Sequence, residues 1–174
     1  MNDDTLIGGS GGDTMYGGLG NDSVAAGDGS DTILFSSGSD SLSGGAGIDT
    51  LDLSGLKLGA LADLGVASTA VAGTDISAIS EIENIVGSNF DDVLKGSEGS
   101  NVINAGKGDD FIDGGAGDDT IVGGDGNDTI ALSAGDDVID AGDGYDTLTV
   151  NASMADFTLD IVQASTGATL HSLA

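Results

Sequence analysis

The stretch GGAGDDTIV, residues 114–122, is followed directly by GGDGNDTIA, residues 123–131. In both stretches two glycines open the unit, a third glycine stands at the fourth place, Asp fills the sixth place and Ile fills the eighth. The unit is nine residues long, and the second copy follows the first without a gap. A strict period of this kind predicts a repeat architecture in which each copy makes one structural step.

The same nine-residue unit organises most of the 174-residue chain. A first run of copies covers residues 8–52 and is preceded by the tail of an earlier copy, and a second run covers residues 87–149 in a different phase. We therefore expect a first repeat block at 1–52, a spacer or capping segment at 53–86, a second repeat block at 87–149 and a flanking strand segment at 150–174.

Two places of the unit hardly vary. The eighth place is aliphatic or Met in every copy, at Leu6, Met15, Val24, Ile33, Leu42, Leu51, Leu94, Ile103, Ile112, Ile121, Ile130, Ile139 and Leu148. The sixth place is Asp with one exception, Asn101, and the aspartates are Asp4, Asp13, Asp22, Asp31, Asp40, Asp49, Asp92, Asp110, Asp119, Asp128, Asp137 and Asp146. An invariant apolar place beside an invariant acidic place indicates one buried side chain and one functional side chain per copy.

The physical chemistry of the unit explains this choice of residues. Places seven to nine, such as Thr120, Ile121 and Val122, are long enough for a short strand with one inward side chain. Glycines at places one, two and four allow a sharp reversal with positive φ, in which backbone carbonyls can converge. Carbonyl oxygens together with an Asp oxygen form a hard site that suits calcium better than zinc or copper.

One copy cannot bury its apolar residue alone, so successive strands are expected to alternate between two facing sheets. Two copies then make one coil of 18 residues, and coils stack as parallel strands about 4.8 Å apart. This places the sixth-place carboxylates of alternate copies over one another, where they would repel unless a cation lies between them. Pairing of this kind predicts about nine sites between turns.

The composition narrows the range of partners. The formal charge is −27, with 30 acidic residues against three lysines, so the chain has no positive surface for nucleic acid or anionic lipid. Divalent cations are the natural counter-charge. The absence of cysteine excludes thiolate zinc sites and disulfides, and no apolar run is long enough to predict insertion into a membrane.

The sequence does not predict an enzyme. GGSGG, residues 8–12, satisfies the nucleophile-elbow pattern around Ser10, but that motif needs a turn from strand to helix and a triad. The single histidine, His171, lies far along the chain. Ser10 is better explained as the variable third place of a repeat.

The copies GGLGNDSVA, GGAGIDTLD, GGAGDDTIV and GGDGNDTIA closely resemble the calcium-binding repeats of the repeats-in-toxin (RTX) family. The resemblance implies an all-β fold, the right-handed parallel β-roll, with calcium ions held between stacked turns. It implies as ligands the sixth-place aspartates given above together with the glycine region of each turn. The glycines are Gly9, Gly11, Gly18, Gly20, Gly27, Gly29, Gly45, Gly47, Gly106, Gly108, Gly115, Gly117, Gly124, Gly126, Gly142 and Gly144.

The resemblance also implies a biological setting. RTX proteins are typically exported from Gram-negative bacteria by type I secretion and fold outside the cell, so a secreted or cell-surface location is expected. We interpret the chain as part of a larger exported protein, with flanking domains of the same polypeptide as partners and the type I secretion apparatus as a partner of the full-length protein. Its expected role is calcium-dependent folding, stability and rigid spacing; the alternatives are the repeat module of a secreted protease, lipase or alginate epimerase, and a segment of an adhesin or surface layer.

The phase of the second block can be extended backwards into the spacer. Residues 78–86 then form a degenerate copy with Glu83 at the sixth place and Ile85 at the eighth. Glu83 is expected to lie over Asn101, two copies further on. Because Asn101 is neutral and Glu83 is one methylene longer than Asp, this pair predicts an ion site that is weak or empty.

Overall fold

A computed structural model of the chain describes residues 2–35, 37–65, 70–71, 74–75, 78–132, 134–150, 160–161 and 169–172. Every regular element in these residues is a β-strand. The expected all-β parallel β-roll is confirmed.

Twenty strands follow one another in the described part of the chain. They are β1 Thr5–Ser10, β2 Thr14–Tyr16, β3 Ser23–Gly29, β4 Thr32–Leu34, β5 Ser41–Gly47, β6 Thr50–Asp52, β7 Leu61–Asp63, β8 Ala70–Val71, β9 Thr74–Asp75, β10 Ala78–Ser80, β11 Asn84–Val86, β12 Val93–Lys95, β13 Val102–Lys107, β14 Phe111–Asp113, β15 Thr120–Asp125, β16 Thr129–Leu132, β17 Val138–Asp143, β18 Thr147–Val150, β19 Asp160–Ile161 and β20 Thr169–Ser172.

The strands form two opposed layers. One layer is a single sheet of eight parallel strands in the order β19-β17-β15-β13-β11-β6-β4-β2. The chain alternates between this sheet and two others, a four-stranded sheet β1-β3-β5-β10 and a six-stranded sheet β20-β18-β16-β14-β12-β7. The eight-stranded sheet therefore runs through both repeat blocks, whereas the opposite layer is divided where the blocks meet. Strands β8 and β9 form a separate antiparallel pair.

Strand pairing inside each block has the expected step of 18 residues. Met15 pairs with Ile33 and Ile33 with Leu51 in the first block, and Ile103 pairs with Ile121 in the second. Equivalent places of alternate copies therefore lie over one another, as the period predicts.

The core is a column of eighth-place side chains between the layers. All of them are buried except Leu6, which is partly buried at the first strand. More side chains point inward than expected, because the longer strands such as β3 and β13 continue into the next copy. Strand alternation then turns the first place inward as well, and Ala26 and Ala105 are both fully buried there. The prediction of one inward side chain per strand was wrong for these copies.

Segment 53–86 contributes strands to both layers. Ile85 pairs with Leu51 on one side and Ile103 on the other, so the backward extension places Ile85 correctly. Ile79 pairs with Leu42, which makes Ile79, and not only Ile85, equivalent to an eighth place. The copy is thus shorter than nine residues, because Ile85 follows Ile79 by only six positions.

At the N-terminal end of this segment the spacing between inward residues is longer than nine positions. Ala62 in β7 pairs with Leu94 and is fully buried, so it occupies an eighth place eleven residues after Leu51. β7 is therefore an extra strand that begins the six-stranded sheet. The described residues of segment 150–174 also extend the roll, since β19 pairs with β17 and β20 with β18.

Candidate metal sites in the stacked turns

The sixth-place aspartates form ladders along the roll. In each step the backbone N–H of one sixth-place residue donates to the side-chain oxygen of the sixth-place residue 18 positions later. The nine such pairs are Asp4–Asp22, Asp22–Asp40, Asp13–Asp31, Asp31–Asp49, Asp92–Asp110, Asp110–Asp128, Asp128–Asp146, Asn101–Asp119 and Asp119–Asp137, with distances of 2.7–3.0 Å. The pairing inferred from the period is therefore present at each expected position.

Each step is closed by a second bond in the opposite direction. The backbone N–H of Thr129 donates to the carbonyl oxygen of Asp110 at 2.7 Å, and that of Thr147 donates to Asp128 at 2.7 Å. The backbone N–H and C=O of a sixth-place residue such as Asp110 thus both bind the following coil, and its side chain accepts a bond from the preceding coil. One carboxylate oxygen, Oδ1, is used in this way, which leaves Oδ2.

The remaining carboxylate oxygen has no hydrogen-bond partner in seven copies. These oxygens are Oδ2 of Asp13, Asp22, Asp31, Asp49, Asp110, Asp119 and Asp128. The side chains are withdrawn from solvent, since Asp49 is 0% exposed and Asp119 and Asp128 are 1% exposed. A buried carboxylate oxygen without a partner is costly, so these oxygens mark a candidate site for a positively charged ligand. One further unpartnered oxygen, Oδ1 of Asp140, belongs to a ninth-place residue outside this series.

In five of these seven copies the first place is glycine, which leaves room beside the unpartnered oxygen; the copies of Asp31 and Asp110 have Ala26 and Ala105 there. A β-carbon on Gly123 would lie 2.5 Å from Oδ2 of Asp128, and one on Gly8 would lie 2.6 Å from Oδ2 of Asp13. Both distances are far below van der Waals contact. Glycine at the first place thus preserves the space around the unpartnered oxygen of the same copy.

Glycines at the second and fourth places have another role. All sixteen glycines predicted as contributors have positive φ, as do Gly38 and Gly135. A β-carbon on Gly29 would lie 2.5 Å from the carbonyl oxygen of Gly11, one coil earlier. Successive turns therefore stack with their backbones in close approach, and carbonyl oxygens lie between neighbouring turns.

Burial changes the acidity of the ladder residues. Desolvation raises the pKa of Asp110 and of Asp119 to about 7 and that of Asp128 to about 6, against an ordinary value of 3.8. The backbone hydrogen bond to each carboxylate opposes this rise, and neighbouring aspartates add to it. Burial also raises the pKa of Asp40, Asp49 and Asp137.

The donors that meet at the turns are carboxylate and carbonyl oxygens. Among the described residues no three side chains of Asp, Glu, His or Cys converge on one point. A cation held here would depend on backbone carbonyls together with sixth-place carboxylates. Such an all-oxygen donor set fits calcium.

The predicted aspartates are not equivalent in their surroundings. Ten of the twelve are buried, whereas Asp13 is half-buried and Asp4 is exposed. Both of these lie in the first coil that the structure describes.

The ladders are interrupted where the two blocks meet. Ala60 stands at the sixth place before Asp92, because its backbone N–H donates to Asp92 Oδ1 at 2.6 Å. Glu83 accepts the backbone N–H of Asp49 at 2.9 Å, and Asn101 Nδ2 donates to the carbonyl oxygen of Glu83 at 2.5 Å. Glu83 and Asn101 therefore stack as the backward extension predicts, but through an amide-to-backbone bond.

Sequence reasoning missed two serines at the second place. Ser88 donates its backbone N–H to Asp92 Oδ2 at 2.6 Å and its hydroxyl to Asp92 Oδ1 at 2.8 Å. Ser97 makes the same contacts with Asn101 Oδ1, at 2.7 and 3.2 Å. The signal was visible as Ser in place of Gly, but its effect depends on the conformation of the turn.

The outer surface of the roll is acidic. The ion pair in the part of the chain that the structure describes joins Lys107 to Asp125, both exposed. An exposed pair of this kind adds little to stability. In the same part of the chain, none of the elements is a helix that could cross a membrane.

A family model for the RTX calcium-binding nonapeptide repeat matches the chain in four copies, over residues 2–33, 36–55, 86–121 and 113–148. Together these segments cover more than half of the chain. None of the curated proteins matches it at a significant level.

Proposed function

Because the chain belongs to the family of RTX calcium-binding nonapeptide repeats, we propose that calcium bound between its stacked turns drives folding of the roll and gives it rigidity. The repeat family is a structural calcium-binding module, and the chain is a β-roll of such repeats. The proposed role is therefore to make folding depend on calcium and to give the folded roll rigidity, with no catalytic step in these residues.

The single observation that carries this proposal is the series of seven buried and unpartnered Oδ2 atoms. They recur in both repeat blocks, always at the sixth place of the repeat. An ion that supplies positive charge there would remove the cost of burying each carboxylate. The three lysines of the chain are too few to supply a positive charge to all seven oxygens.

The residues proposed to hold calcium are the sixth-place aspartates and the carbonyl groups of the second- and fourth-place glycines. Calcium accepts six to eight oxygen ligands in a flexible arrangement, which suits turns that contribute several carbonyls and few carboxylates. Magnesium demands a small octahedral shell and gives up its water reluctantly. It is therefore expected to bind to these turns more weakly than calcium does. One ion for each of the nine stacked pairs is the number that the ladders support.

Binding and folding are coupled in this proposal. The unfolded chain has no stacked turns and hence no sites, so calcium binds the folded roll alone and stabilises it by mass action. Without calcium the net charge of −27 opposes compaction.

We propose an exported location for the protein that carries this module. RTX repeats occur in exported bacterial proteins, and millimolar calcium outside the cell would fill sites of the weak extracellular type, with Kd of about 10⁻⁴–10⁻³ M. Low calcium inside the cell would keep the chain unfolded, the form that type I secretion requires. The proposed partners are calcium and flanking domains of the same polypeptide.

We retain the four-part division at residues 52, 86 and 149 as a proposal. It separates two ion-binding blocks from a segment that interrupts the ladders at Ala60, Glu83 and Asn101. Strands β10 and β11 continue the sheets through that segment, so the division concerns ion binding and not the sheets.

The test is a calcium titration of the chain followed by far-ultraviolet circular dichroism and isothermal calorimetry. We expect little strand signal in chelator, a cooperative gain as calcium rises, and a heat of binding over the same range. Strand content that is the same with and without chelator, or the absence of calcium binding, would overturn the proposal.

A further inference from the structure

Two described turns have a different backbone path at the second place of the repeat. The second-place glycines have φ between 90° and 120°. Among the described non-glycine residues only Glu81 has positive φ, so Ser88 and Ser97 lie in the ordinary region. The change of sign redirects the backbone N–H of the serine towards the sixth-place side chain of its own copy.

The consequence for Asp92 is complete satisfaction of both carboxylate oxygens. Oδ1 accepts the backbone N–H of Ala60 at 2.6 Å and the hydroxyl of Ser88 at 2.8 Å. Oδ2 accepts the backbone N–H of Ser88 at 2.6 Å. Asp92 is 1% exposed and yet has no oxygen without a partner.

Asn101 is satisfied in the same way in the next copy. Its Oδ1 accepts the backbone N–H and the hydroxyl of Ser97, and its Nδ2 donates to the carbonyl of Glu83. Both serine turns are thus closed by hydrogen bonds within the protein.

Seven turns with glycine at the second place differ, because one carboxylate oxygen in each has no hydrogen-bond partner. Each of the seven sixth-place aspartates with an unpartnered Oδ2 has glycine at the second place of its copy. These glycines are Gly9, Gly18, Gly27, Gly45, Gly106, Gly115 and Gly124. The last copy also has glycine at the second place, Gly142, but Oδ2 of its Asp146 is not among the seven unpartnered oxygens. In the other described copies the state of the carboxylate follows the residue at the second place.

We propose that the second-place residue determines whether a turn takes calcium: glycine leaves a carboxylate oxygen for the ion, and serine closes the turn without one. This inference rests on the proposed function and refines it. Among the described residues, seven turns have both a second-place glycine and an unpartnered carboxylate oxygen, fewer than the nine stacked pairs.

The two serine turns lie together at the junction of the blocks. They belong to copies 87–95 and 96–104, which make one coil. That coil joins the ion array of residues 13–49 to the array of residues 110–128 without an ion of its own. Ser36 and Ser133 also stand at second places in the sequence; they are outside the described residues, and the rule extends to their copies as a prediction.

The first experiment compares Ser88→Gly with the wild type and with Ser100→Gly. Ser100 is an exposed residue of the adjacent turn, so it controls for the added flexibility of a glycine. Native mass spectrometry and calorimetry at saturating calcium would count the bound ions. We expect S88G to bind about one ion more than the wild type and S100G to bind the same number as the wild type. An unchanged count in folded S88G would overturn the rule.

A second comparison decides the matter if S88G does not fold. Asn101→Asp restores a carboxylate but keeps Ser97, so it is expected to bind no additional ion. The double variant Ser97→Gly, Asn101→Asp is expected to gain about one ion. A gain in N101D alone, or no gain in the double variant, would overturn the rule.

The two proposals fail differently in these experiments. If the wild type binds no calcium, the proposed function fails and the rule fails with it. If the wild type binds calcium but the counts of the variants do not follow the second-place residue, the rule alone is wrong.

Discussion

The backbone N–H of Asp110 donates to Oδ1 of Asp128 at 2.9 Å, while Oδ2 of Asp128 is buried without a partner. One carboxylate therefore joins two coils through one oxygen and presents the other to the space between the turns. The stacking of coils and the demand for a cation are properties of the same side chain.

Asp128→Asn is expected to weaken calcium binding without removing the link between coils, because the amide oxygen can still accept the N–H of Asp110. Loss of the charge should raise the calcium midpoint of folding at least about tenfold. Circular dichroism during a calcium titration measures this midpoint. The control is Asp28→Asn, an exposed aspartate that should leave the midpoint unchanged; equal shifts in both variants would show that only net charge matters.

Gly123→Ala is expected to destabilise the calcium-bound roll, since the new methyl group would lie 2.5 Å from Oδ2 of Asp128. The cost should be at least about 1 kcal/mol, within the range for overpacking of a packed site. Gly55→Ala is the matched control, because a β-carbon on Gly55 meets no atom within 4 Å. Thermal unfolding at saturating calcium compares the two, and an equal effect of both substitutions would contradict the assignment of space to the first-place glycine.

Ile121→Ala is expected to cost about 2–5 kcal/mol of unfolding free energy at saturating calcium. Ile121 is 1% exposed and stacks between Ile103 and Ile139, so the removed atoms leave a cavity in the column. Val102→Ala serves as control, because Val102 points outward and is 48% exposed. Denaturant unfolding should separate the two variants clearly; similar values would mean that the column is not the core.

The metal-free roll is expected to be more stable in weak acid than at neutral pH. Folding raises the pKa of Asp110 and Asp119 from 3.8 to about 7, so the folded state binds protons more tightly than the unfolded chain. This contribution to stability is present at low pH and is lost as pH rises from the ordinary value through about 7. In calcium-depleted buffer, strand content should be greater near pH 5 than near pH 8; a rise of strand content with pH would contradict it.

Much of the roll could be predicted because the period fixes it. Ile103, Ile121 and Ile139 had to stack once two copies made one coil, and the pairing of Asp119 with Asp137 followed from the same register. The first-place residues were missed since the strand was taken as three residues long. Ala105 lies inward because the strand continues past the expected end.

The junction could not be predicted to the same depth. The sequence placed Glu83 and Ile85 correctly but did not reveal that Ile79 occupies an inward place only six residues earlier. Nor did it reveal that Ala60 stands at a sixth place, since nothing in its chemistry marks it. The closure of the serine turns depends on the sign of φ at Ser88 and Ser97, which a repeat pattern does not specify.

The constant step of 18 residues has a consequence for how the chain can fold. Within each block every new coil needs only the coil before it, so contacts form over short loops and folding can advance along the chain in order of sequence. At the junction Leu51 must instead find Ile85, and Leu94 must find Ala62. These loops are about twice as long, which adds only about 0.6 kcal/mol of closure entropy. A chain that enters a calcium-rich medium end first can therefore acquire structure coil by coil while the rest of it is still extended.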